Sequence, residues 1–134
     1  MEQRKEIIQT IKPATFKPAQ KNFYGMAEGF KIITTKQIIR LGINMYQECC
    51  EHPGYFMSED NFDDFINAEL LDIVIVNECL RPEELSDLYE GSVIFVNINT
   101  SKGVLQFTAY NSQNGYYGHN AVIESAQLTH MTRL

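Results

Sequence analysis

The sequence predicts an α+β fold: a single domain with a mostly antiparallel β-sheet, two short helices packed on one face, and an N-terminal helix and arm. Three observations carry this reading. Residues 92–125 alternate apolar and polar side chains through three strand-like runs. Residues 30–34 and 37–46 form two more, joined at Thr35-Lys36. Two further stretches, 62–71 and 82–89, place their apolar residues at helical intervals. A chain of 134 residues, 44% of them hydrophobic, is long enough for one core.

Taken in order, residues 2–11 read as a short helix with Ile7, Ile8 and Ile11 on one side. Pro13 and Pro18 then break any helix and favour an extended arm, so residues 1–29 are separated from an α+β domain at 30–134. Phe16, Phe23, Tyr24 and Met26 suit either clamping this arm to the sheet, the favoured reading, or forming a partner-binding strip. In the second strand, Ile39, Leu41, Ile43 and Met45 share one face, while Ile38, Arg40, Asn44 and Tyr46 share the other, half-polar one. After the turn at His52-Pro53-Gly54, residues 54–58 return to the sheet.

Asp60 or Asn61 is placed to cap a helix over 62–71, with Asp63 and Asp64 favoured in its first turn. Residues 73–76, Ile-Val-Ile-Val, read as a buried central strand. Pro82 starts a second helix that Gly91 ends. Turns at 100–103 and 111–115 join the three strands of 92–125 as two hairpins, the second ending in Asn114-Gly115. Residues 127–134 extend the last strand or fray.

The composition excludes several classes of function. A net charge of -6 and a pI near 5.0 argue against direct nucleic-acid binding, which needs clustered Lys and Arg. No run approaches the ~20 apolar residues of a membrane span, and the first residues lack the apolar core of a signal peptide. A cytoplasmic protein is expected. Three cysteines, two of them adjacent, do not form a disulfide framework.

Cys49-Cys50-Glu51-His52 lacks the spacing of a metal site, because adjacent strand residues point to opposite faces. Cys79 and His119 would have to complete it, and no cofactor is expected. The acidic run at 59–64 lacks the alternating ligands and central glycine of a calcium loop. Asn111, Asn114, Tyr116, Tyr117 and His119 are the densest polar-aromatic group in the chain. Amides offer donors and acceptors, tyrosines offer stacking faces, and histidine titrates near neutrality, so the set suits a ring-bearing ligand or a protein anchor.

Residues 45–51, MYQECCE, and 109–119, AYNSQNGYYGH, resemble a family of small phage and prophage domains of unknown function. Those domains share a Cys-Cys-Glu motif after a strand and an Asn-Gly-Tyr-Tyr motif near the C-terminus. The resemblance covers residues 30–124 and departs at Glu48, where the family has Asp, and at the His-Pro-Gly turn. It implies a phage accessory protein that acts by binding.

The leading expectation is therefore a non-enzymatic, phage-encoded counter-defence protein. It would either block a host protein or sequester a nucleotide-like signal near Tyr116, Tyr117 and His119, with Arg40 meeting phosphate. The first mode requires an exposed acidic or apolar patch, and the second requires a concave site with a cation among the tyrosines. The alternatives are a metal- or thiol-dependent enzyme centred on Cys49, Cys50, His52 and His119, and a virion or replication subunit that dimerises through a sheet edge.

Overall fold

The computed structural model describes residues 4–23, 25–45, 52–85, 91–112 and 119–134. They form nine antiparallel strands: β1 (Ile8–Phe16), β2 (Ala27–Thr34), β3 (Ile38–Ile43), β4 (Pro53–Met57), β5 (Leu70–Val76), β6 (Ser92–Thr100), β7 (Gly103–Asn111), β8 (Asn120–Glu124) and β9 (Thr129–Arg133). One sheet has the order β1-β2-β3-β8-β9 and the other β4-β7-β6-β5. Their inner faces meet in one core. Ile39, Leu41, Ile43 and Ile123 from the first sheet pack with Val96, Ile98, Leu105 and Phe107 from the second. Phe30 bridges the layers, edge-on to Tyr55, Phe62 and Phe107 at ring distances of 5.8, 5.7 and 6.3 Å.

The fold is thus a β-sandwich, which corrects the α+β expectation of two covering helices and an N-terminal helix. Among the described residues the only helical pieces are 3-10 turns at Asp63–Phe65 and Pro82–Leu85. Neither Asp60 nor Asn61 caps the first: Phe62 holds the N-cap position without a side-chain hydrogen bond, and Asn61 Oδ1, one residue earlier, accepts the Asp63 N–H at 2.9 Å. The turn goes no further because Asn67 takes a left-handed φ of 70° and the next residues are claimed by strand pairing.

The N-terminal helix is replaced by β1, and the reason lies in a bulge. A register shift between Ile8 and Thr10 inserts one extra residue, so Ile8 and Ile11 both reach the core although their spacing is helical. Pro13 is accommodated opposite Phe30 because β1 is an edge strand, where a missing N–H costs least. Phe16 and Phe23 pack with Ala27 and Val122 on the outer face of the five-stranded sheet, so the arm is clamped there. Met26 is exposed instead, and Tyr24 lies outside the described residues.

Two strand expectations also change. The β6–β7 hairpin forms in full register from Ser92 to Asn111, but β8 leaves that sheet and pairs with β3 and β9, so the expected β7–β8 hairpin does not form. Residues 73–76 belong to β5, an edge strand rather than a central one. At one corner the two sheets join. Leu70 N–H donates to Glu6 O at 2.8 Å, Ile8 N–H to Ala68 O at 2.9 Å, and Asn67 N–H to Ile8 O at 2.8 Å.

Candidate functional site

Three places in the sandwich hold the chemistry. At one end, a buried polar knot joins β3, β7 and β8. His119 and Asn111 are 0% and 1% exposed. The His119 ring places Nδ1 3.0 Å from the Asn44 carbonyl, so Nδ1 carries the proton in that contact. Asn44 Oδ1 accepts the Asn120 N–H at 3.0 Å. The main-chain oxygen of Leu134 accepts from His119 N–H at 3.2 Å and from Asn111 Nδ2 at 3.3 Å. Asn111 Oδ1 is buried without a hydrogen-bond partner, a position at which a donor from water or ligand is favourable.

The structure thus brings Asn111 and His119 together, around Leu134. Arg40 is not with them. It pairs in register with Glu124, four positions along β3 from Asn44, or roughly 13 Å at strand spacing. It also faces outward, beside a groove of ≈ 290 Å³ that Ala19, Gln20 and Thr129 help to line. Asn114, Tyr116 and Tyr117 lie outside the described residues, as do Cys49 and Cys50. Cys79 is a free thiol, and no group of three potential metal ligands occurs among the described residues.

The third place is the open edge of β5. Residues 6–8 occupy this edge only as far as Leu70. Beyond that point residues 71–76 pair with β6 on one side and with no strand on the other, among the described residues. Leu71, Val74 and Ile75 are 59%, 37% and 41% exposed along this stretch. Leu80 adds another apolar side chain at 51%, across a groove of ≈ 500 Å³ lined also by Ile75, Val76 and Asn97.

The wall that carries Leu80 is held by buried Gln106. Its Oε1 accepts the Leu80 N–H, and its Nε2 donates to Glu78 O and Asn97 Oδ1, all at 2.8 Å. Arg81 anchors the far side, 2.8 Å from Asp60 and 3.3 Å from Glu84. The hydrogen bond from Arg81, followed by its charge, holds the Asp60 carboxyl below its ordinary value. Burial, followed by the Glu28 carboxylate, pushes the Tyr55 phenol up.

Charge divides between the layers. Residues 52–112, which supply the four-stranded sheet and its loops, contain eleven acidic and two basic residues. The remainder of the chain contains six acidic and nine basic residues. This segregation is readable in the sequence, yet the total of -6 conceals it. The β5 edge was hidden differently, since a β-branched apolar run fits an exposed edge as well as a buried centre.

A family model described as a domain of unknown function, DUF7448, matches residues 7–123. The match takes in β1 and the arm, which the motif resemblance had left outside the shared region. No curated protein and no solved structure matches the chain.

Proposed function

Because the chain belongs to the DUF7448 family, whose function is unknown, we propose a function from its surface: a non-enzymatic binding protein that takes an extended segment of a protein partner along β5. The observation that carries this is the apolar edge at residues 71–76, unpaired among the described residues. Soluble proteins blunt such edges with charge, proline or a covering loop. Here Asp72 is the single charge on the strand. An added strand would satisfy the open backbone groups while its alternate side chains enter the groove beside Leu80.

The partner's chemistry follows from the surroundings. Glu69, Asp72, Glu78 and the acids around Arg81 favour a segment that alternates apolar residues with Lys or Arg. In the phage or prophage setting that the Cys-Cys-Glu and Asn-Gly-Tyr-Tyr motifs suggest, a host defence protein with a basic nucleic-acid-binding surface is such a partner. Docking there would serve counter-defence by occlusion and needs no catalytic group.

A lysine-valine alternating peptide is the test probe. It is expected to slow hydrogen exchange at the amides of 71–76 and to lose this effect in a Leu71→Lys, Ile75→Lys variant. Unchanged exchange in the wild type, or protection that persists in the variant, would sink the proposal. Sedimentation without peptide reports whether a second copy occupies the edge instead.

A further inference from the structure

On the opposite layer, Lys12, Lys31 and Arg40 stand in one cross-strand row. Lys12 pairs with Lys31 across β1–β2, and Lys31 with Arg40 across β2–β3. Direct partners in antiparallel strands share a face, with Cβ atoms about 5 Å apart. That face is the outer one, because the neighbouring Ile11, Ile32, Ile39 and Leu41 fill the core. Like charges directly opposite one another are unfavourable. None of the three forms an ion pair among the described residues.

The surroundings add to the row. Glu124 continues it beyond Arg40, but its Oε2 accepts the Ala19 N–H at 2.8 Å, which ties this carboxylate to the arm. The arm also carries exposed Lys17 and Lys21 on either side of Ala19. Beside Arg40 the ≈ 290 Å³ groove offers the side chains of Gln20, Ser125 and Thr129 next to half-exposed Ile38.

We propose that this row binds the phosphate chain of a small ligand, such as a nucleoside polyphosphate or an inorganic polyphosphate. Three adjacent strands spread the cations over about 10 Å, a span suited to two or three linked phosphates. Arg40 supplies a planar fork for paired hydrogen bonds, and the lysines supply point charges. The groove beside Arg40 receives whatever the phosphates are attached to. A long nucleic acid is disfavoured, since it would run off this face toward the acidic layer of 52–112.

Sodium tripolyphosphate and ATP, titrated separately by calorimetry at low salt, test the site. Saturable binding is expected, weakened about tenfold or more in a Lys31→Gln, Arg40→Gln variant and unchanged in Lys102→Gln on the other sheet. Both substituted side chains face outward, and the circular dichroism of the variant checks its fold. Tighter binding of ATP, with NMR shifts at Ser125 and Thr129, assigns a nucleoside to the groove, whereas equal affinity assigns the phosphate chain alone. The proposal is overturned by absence of binding, by equal weakening in Lys102→Gln, or by binding confined to a 20-nucleotide single strand.

Discussion

The side-chain carbonyl of Gln106 on β7 receives the backbone N–H of Leu80 at 2.8 Å, from a loop that follows the edge strand β5, which lies beyond β6 in the same sheet. Gln106 is buried on the outer face of its sheet, where an amide is tolerated only if its polar atoms are matched. It therefore fixes the loop that walls the β5 groove. Replacing it with Leu leaves the Leu80 N–H and Glu78 carbonyl unmatched. A loss of about 2–4 kcal/mol is expected in urea unfolding, with faster exchange at the Leu80 amide.

Gly29 and Gly42 face each other across β2 and β3. A Cβ at Gly29 would overlap the Leu41 carbonyl oxygen and come within 2.7 Å of Gly42 Cα, both backbone atoms that cannot swing aside. At Gly42 the nearest atoms, Glu28 O and Phe16 Cε1, are 3.0 Å away, and the ring can shift. Gly29→Ala should therefore destabilise by about 2–3 kcal/mol and Gly42→Ala by less. Paired thermal melts check the order.

His119 ties the ends of β3 and β8 through Asn44. His119→Leu keeps an apolar volume but leaves the Asn44 carbonyl without its donor, at a cost of about 1–3 kcal/mol. Because the β5 edge belongs to the other sheet, peptide protection at residues 71–76 should persist in this variant. Simultaneous loss of both would show that the knot and the edge are coupled.

Asp60 gives a pH dependence of known sign. Arg81 depresses its carboxyl below the ordinary 3.8. The ion pair therefore contributes to stability above that value, and its contribution is lost as pH falls through the depressed one. In Asp60→Asn the fall in stability between about pH 4 and pH 2 should be shallower than in the wild type. Denaturant melts across that range, with an NMR titration of the Asp60 carboxyl, check it.

Much of the strand content was legible because alternation reports a half-buried strand directly. Ile39, Leu41 and Ile43 were assigned to one face and are all buried. The β6–β7 hairpin was likewise readable from its alternation and its Thr100–Gly103 turn. Helical spacing misled where a bulge or a single 3-10 turn imitates it, as at Ile8 and Ile11 and at Phe62 and Phe65. Arg40 was visible as a cation on a half-polar face. Its neighbours Lys12 and Lys31 were not, because register between strands depends on turns and bulges that alternation leaves unspecified.

By itself the sequence determined the β-rich character, the inward faces of β3, β6 and β7, and the division of charge along the chain. These depend on local periodicity and composition. Only the tertiary structure decided that β8 crosses to the other sheet, that β5 lies at an edge and that three cations share a row. The third depends on the register between consecutive strands, and the first two on which distant strands pair. That choice is made by the burial of both inner faces against each other at once, a property of the whole core that no single segment encodes.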